Sequence, residues 1–114
     1  MEKISLIIPC YNEEESLPPL YEELKKVTAT MADYEFEMLF IDDGSKDKTL
    51  SLLRDMAAVD KRVRYISFSR NFGKEAAMYA GFCNVTGDYA AVMDADMQDP
   101  PSLLPEMVEI LETQ

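Results

Sequence analysis

Ile4-Ser5-Leu6-Ile7-Ile8-Pro9-Cys10-Tyr11-Asn12-Glu13 holds a short apolar strand, a proline that should end it, and a polar loop. After that loop the period changes. Leu17, Leu20, Tyr21, Leu24, Val27 and Met31 recur at three- and four-residue spacing, which is one face of a helix. Pro18 and Pro19 suit its first turn, and Glu13, Glu14 and Glu15 suit the positive end of its dipole. The unit then repeats. Phe36 to Ile41 reads as a second strand, Asp42-Asp43-Gly44-Ser45 as a turn, and Leu50, Leu53, Met56 and Ala57 as a helix face. Val63 to Phe68 and Tyr89 to Met93 read as further strands. Lys74 to Cys83 reads as a third helix, and Leu103, Leu104, Met107, Ile110 and Leu111 mark a last one. Such alternation predicts an α/β fold: a Rossmann-like parallel sheet of about four strands with helices on both faces. Its crossovers should be right-handed. Ligands in such sheets bind outside the carboxyl ends of the strands, near the point where strand order reverses. The four polar loops, Pro9 to Glu13, Asp42 to Ser45, Ser69 to Gly73 and Asp94 to Asp99, all follow strands and should share that rim.

Bulk properties narrow the function. The 114 residues, 47% hydrophobic, suit one domain spanning 1–114. A net charge of −11 argues against general attraction to nucleic acid or anionic lipid. The absence of His excludes His-based catalytic triads and most zinc sites. Met1-Glu2-Lys3 leads directly into a strand with no signal-peptide pattern, and no apolar run approaches the roughly 18 residues needed to cross a bilayer. A soluble, cytoplasmic chain is therefore expected, with Cys10 and Cys83 as buried thiols in a reducing compartment.

Chemistry concentrates in Asp94-Ala95-Asp96-Met97-Gln98-Asp99-Pro100-Pro101. Between Glu75 and Gln114 stand eight acids and no Lys or Arg, so nothing nearby in sequence offsets their charge. Asp94 and Asp96 point the same way if strand geometry persists, and Gln98 extends the spacing. Such an all-oxygen set suits Mg2+ or Mn2+, shared with phosphate oxygens. The other loops are readable both ways. Tyr11 offers a flat face for a base, with Glu13 or a backbone group at a base or ribose edge, yet Pro9 to Glu13 also makes an ordinary strand exit. One of Asp42 and Asp43 should sit partly desolvated, suited to a nucleobase N–H or ribose hydroxyl, while Ser45 or Asp47 can cap the next helix. Arg70 or Lys74 could meet a diphosphate beside helix amides; equally, this could be a solvated loop.

Together, Ile7-Ile8-Pro9-Cys10-Tyr11-Asn12-Glu13, Ile41-Asp42-Asp43-Gly44-Ser45 and Asp94-Ala95-Asp96 resemble the donor half of a family 2 inverting glycosyltransferase. Arg70-Asn71-Phe72-Gly73-Lys74-Glu75-Ala76-Ala77 and the Asp94 to Pro101 run resemble its polyprenyl-phosphate branch, which includes dolichol-phosphate mannose synthases and undecaprenyl-phosphate glucosyltransferases. The resemblance implies a nucleotide-diphospho-sugar transferase fold and a UDP- or GDP-sugar donor. It implies that Pro9, Tyr11, Glu13 and Asp42 line the nucleoside pocket and that Asp94 lies near the ribose or sugar. It places Mg2+ or Mn2+ on Asp96 and Gln98, with Asp94 as a further ligand. Donor contacts are implied also for Asn12, Asp43, Ser45, Asn71, Gly73, Lys74 and Ala95.

In the family the acceptor site, the acidic residue proposed as base and any membrane helices follow the Asp-x-Asp motif by many residues. This chain is therefore expected to be a donor-binding part, slow or inactive alone, with its catalytic base beyond Gln114. The complete protein would act on a lipid-phosphate acceptor at the cytoplasmic face of a membrane. Exposed apolar surface where further chain would pack predicts self-association into a homo-oligomer. The rival readings are a receiver-like Mg2+-binding signalling domain, a dehalogenase-type phosphatase and a non-catalytic nucleotide-sugar-binding module. The first two want their acids after the first strand.

Overall fold

The computed structural model describes residues 2–96 and 101–112. Strands β1 (Glu2–Cys10), β2 (Tyr34–Asp42), β3 (Val63–Ser67) and β4 (Tyr89–Val92) form one sheet in the order β3-β2-β1-β4, with every pairing parallel. Helices α1 (Leu17–Ala29), α2 (Thr49–Val59), α3 (Lys74–Asn84) and α4 (Leu104–Glu112) alternate with them, and a 3-10 turn at Pro101–Leu103 leads into α4. This is the expected architecture.

Because successive strand residues face opposite sides, each strand supplies two cores. Ile4, Leu6 and Ile8 of β1, with Phe36, Met38 and Phe40 of β2, belong to one. They share it with Leu17, Leu20 and Leu24 of α1, Leu53 and Met56 of α2, and Leu104 and Val108 of α4. Each fully buried Leu or Ile contributes roughly 1.5–3 kcal/mol. On the opposite face Ile7, Leu39 and Ile41 pack with Ala77 of α3. A methyl group on Gly81 would overlap the Ile7 side chain, so a glycine is what lets α3 lie this close to the sheet. At the amino end of that face the buried Glu37 carboxylate accepts hydrogen bonds from Ser5 Oγ (2.9 Å), Arg64 Nη1 (2.8 Å) and Thr86 Oγ1 (2.9 Å). One side chain thereby ties β1, β2, β3 and the α3–β4 connection.

The strands step outward from β1 through β2 to β3, and the chain then returns to place β4 on the other side of β1. Strand order reverses there, so the switch point lies between β1 and β4.

Two expectations need correction. Pro9 does not end the first strand; β1 continues to Cys10, with Pro9 opposite Ile41 and Cys10 opposite Asp42. Backbone groups alternate in direction along a strand. The Ile7 carbonyl accepts from Met93 N–H (2.9 Å) on the β4 side, and the Cys10 carbonyl accepts from Asp43 N–H (2.8 Å) on the β2 side. The N–H that Pro9 lacks would have pointed toward β4, whose pairing with β1 stops at Ile7, so the β1–β2 ladder loses nothing. Cys83, expected to be buried, is exposed on α3, because that helix meets the sheet through Ala77 and Gly81; Cys10 is buried as expected.

Candidate functional site

The first three polar loops and the Asp94-Ala95-Asp96 part of the fourth do meet on one rim. The two ends of the β1–α1 and β2–α2 loops are stitched together: Asn12 N–H donates to Ser45 Oγ (2.9 Å), Glu13 N–H to Thr49 Oγ1 (2.8 Å) and Glu14 N–H to Asp47 Oδ2 (3.2 Å). Asp47, one of the two expected caps, accepts from Thr49 N–H at 2.9 Å and so serves the start of α2. The β3–α3 loop is held by Asp43, a buried carboxylate whose oxygens accept from the backbone N–H groups of Phe72 (2.8 Å) and Gly73 (3.1 Å). Asp42, also buried, accepts from Ser45 N–H at 3.1 Å. Both acids are therefore desolvated, where the sequence reading required only one. Gly44 has φ +74°, and a methyl group there would overlap the Arg70 and Asn71 backbone, so the turn must be glycine.

Two hollows open on this rim. One, of about 210 Å3, is lined by Pro9, Cys10, Tyr11, Glu13, Asp43, Lys74, Asp94, Ala95 and Asp96. It lies where β1 and β4 part. The other, of about 400 Å3, runs along the ends of β2 and β3 and includes Tyr11, Asp42, Ser45, Lys46, Ser67, Arg70 and Asn71. Tyr11 is the residue common to both. Of the expected donor-binding residues, only Asn12 and Gly73 line neither hollow. Gln98 lies outside the described residues. Sequence reading missed Cys10 as a wall and Lys46 and Ser67 as rim residues. Only the strand register, which carries Cys10 into line with Asp42, could have signalled the first.

The charges in the first hollow are set against each other. Lys74 Nζ, at the start of α3, donates to Asp94 Oδ1 at 2.7 Å. Arg70 stands over the Phe72 ring, 4.5 Å from its centroid, and Phe72 meets Phe68 edge-to-face at 5.6 Å. Burial, aided by the nearby Glu13 and Asp42 carboxylates, pushes the Cys10 thiol far above its usual range, so it is a protonated wall and no nucleophile. A third hollow of about 410 Å3 lies at the opposite end of the sheet, but its Arg62 and Arg64 are already paired with Asp60 and Glu37.

Among the described residues no group of three or more acids and cysteines converges as a metal cage. Asp94 and Asp96 nonetheless share one hollow and offer only hard oxygen donors. That set fits an ion such as Mg2+, which takes one or two carboxylates and completes its shell with water and phosphate oxygens.

The Glycosyl transferase family 2 model matches residues 5–114. The chain belongs to that family. CsbB of Bacillus subtilis (strain 168) is 52% identical over 106 residues, which is 93% of this chain and 32% of CsbB. The bactoprenol glucosyl transferase of Shigella phage SfX is 44% identical over 107 residues, covering 94% of this chain and 35% of that protein. The chain thus spans about a third of the length of the curated relatives it matches. Among solved structures, the mannosyltransferase PcManGT from Pyrobaculum calidifontis, in complex with GDP-Man and Mn2+, superposes with a TM-score of 0.81 at 21% identity. The match covers 96% of this chain and 32% of PcManGT, and it shows a shared fold. Family membership removes the receiver and phosphatase readings. No helix among the described residues is long and apolar enough to cross a membrane.

Proposed function

We propose that the rim binds a nucleotide-diphospho-sugar together with Mg2+ or Mn2+, as the donor site of an inverting transfer to a polyprenyl phosphate. The observation that carries this reading is the meeting of Lys74, Asp94 and Asp96 in one hollow at the strand-order reversal, joined through Tyr11 to a second hollow. The larger hollow takes the nucleoside: Tyr11 offers its ring to the base, while Asp42, Ser45 and Asn71 supply polar edges. The smaller one takes the diphosphate and sugar, beside Lys74 and the Asp94-Ala95-Asp96 segment. Asp94 and Asp96, with Gln98, would hold the metal. When bound, such an ion supplies Lewis-acid neutralisation of the charge that gathers on the departing nucleoside diphosphate.

The residues' own contributions follow from charge. Lys74 can exchange its carboxylate partner for a phosphate oxygen at little cost, because the pair is partly exposed. The walls formed by Pro9, the protonated Cys10 and Ala95 help keep water from the anomeric bond. An acceptor phosphate is already an anionic nucleophile, so attack from the opposite face of the sugar, with inversion, needs little base assistance. The relatives' names support a lipid-linked acceptor, since bactoprenol glucosyl transferases are among them. The complete protein would then work at the cytoplasmic face of a membrane. Calorimetric titration with UDP, GDP and their sugar derivatives, with and without Mn2+, tests the reading. Metal-enhanced binding of one nucleotide series supports it; no binding of either refutes it.

A further inference from the structure

Asn12 is the one non-glycine residue among the described residues with a left-handed backbone, φ 52°. That region is unfavoured for L side chains, and Asn and Asp tolerate it best. An observed conformation of this kind asks what the surrounding structure gains from it. Here it turns the chain at the tip of β1 so that three successive amides, of Asn12, Glu13 and Glu14, meet side chains of the β2–α2 loop and of Thr49 at the start of α2. The exchange is reciprocal only at Asn12, whose Oδ1 accepts from Lys46 N–H at 2.8 Å.

Tyr11 is thereby held from both sides. On its amino side the Cys10 carbonyl accepts from Asp43 N–H, the last rung between β1 and the β2 end. On its carboxyl side stands the double link from Asn12 to Ser45 and Lys46. Tyr11 between them is about half exposed, at 43%, and is the residue common to the two hollows. Asn12 itself lines neither.

We infer that Asn12 is a positioning residue of the donor site: its carboxamide locks the β1–α1 loop to Lys46 and so fixes the Tyr11 ring at the divide between the hollows. This rests on the donor-site reading above. It differs from a donor contact, because the side chain would act through Tyr11, and Asn12 lines neither hollow. It differs from a general structural role, because its effect on binding should vanish when the ring is absent.

The test is titration of the 114-residue chain with UDP and with GDP, in Mn2+, for wild type, Asn12→Gly, Asn12→Asp, Tyr11→Ala and Tyr11→Ala/Asn12→Gly. Glycine keeps the left-handed backbone but deletes the acceptor for Lys46 N–H, whereas aspartate keeps both. The expected result is a loss of about tenfold in affinity for Asn12→Gly, the scale of one hydrogen bond. Asn12→Asp should restore most of that loss. In the Tyr11→Ala background the glycine change should cost nothing further, the non-additivity of residues acting as a unit. Amide hydrogen exchange at Lys46 without ligand reads the link directly and should speed up in Asn12→Gly and not in Asn12→Asp. Equal losses from Asn12→Gly with and without the Tyr11 ring, no loss at all, or unchanged Lys46 exchange would each overturn the inference. If wild type binds neither nucleotide, the donor-site reading itself has failed and the inference falls with it.

Discussion

Lys74 and Asp94 stand twenty residues apart in sequence, yet their charged atoms lie 2.7 Å apart, bridging the start of α3 to the end of β4. The contact spans the point where β1 and β4 separate. Both side chains keep water access, at 60% and 27% exposure, so the pair adds only about 0–1 kcal/mol to folding. Its value is in where it holds a cation. Lys74→Ala should leave the thermal midpoint nearly unchanged while weakening nucleoside-diphosphate binding about tenfold or more, as expected for a lost charge-assisted hydrogen bond. Paired melting and calorimetric titration check this. A large fall in stability with unaltered binding would assign the lysine to the fold instead.

Asp43 behaves in the opposite way. It is only 4% exposed, and both its oxygens are occupied by backbone N–H groups of the β3–α3 loop. Asp43→Ala would strand two amides with no acceptor, at about 2–4 kcal/mol if both stay dry. Urea denaturation should show that loss, with Asp43→Asn intermediate because it retains one acceptor oxygen. A loss below 0.5 kcal/mol (roughly the level of a neutral surface change) would contradict the arrangement.

Much of this architecture was readable from periodicity, because strand and helix faces repeat at different intervals and both are visible in one chain. Leu17, Leu20 and Leu24 mark the buried face of α1 as expected, and the polar loops, the fourth as far as Asp96, do gather at one rim. Pairing between elements was less legible. Pro9 looked like a stop because its missing N–H matters only if that side of the strand is paired, and which side is paired depends on β4. Cys83 looked buried because helical spacing identifies an apolar residue without saying which neighbour covers it. The link from Asn12 to Lys46 joins loops more than thirty residues apart, beyond any local pattern. Gln98, expected with Asp96 to hold the metal, lies outside the described residues.

Acid and alkali should each destabilise the chain through Asp60. Hydrogen bonds from Arg62, opposed by burial and aided by Tyr21, hold the Asp60 carboxyl down to about 2 from an ordinary 3.8. A depressed acid contributes stability that is complete above the unfolded value, and that is lost as pH falls from about 3.8 toward about 2. Glu37 acts in the same direction: burial alone would raise its pKa, but hydrogen bonds from Arg64, Thr86 and Ser5 leave it lowered. Tyr21 is pushed up to about 12 by burial and by its hydrogen bond to Asp60, so its contribution fades as pH rises from 10 toward 12. Urea midpoints measured across pH should fall at both ends. Asp60→Asn should flatten the acid limb and shrink the alkaline one; an unchanged profile would contradict the Asp60 assignments.

The most direct measurement is anomalous scattering from a crystal of this chain soaked with Mn2+ and either UDP or GDP. The account predicts a manganese peak within bonding distance, about 2.0–2.4 Å, of a carboxylate oxygen of Asp94 or Asp96, with diphosphate density beside Lys74 and the base against Tyr11. Nucleotide bound elsewhere, or a metal peak remote from both carboxylates, would contradict it.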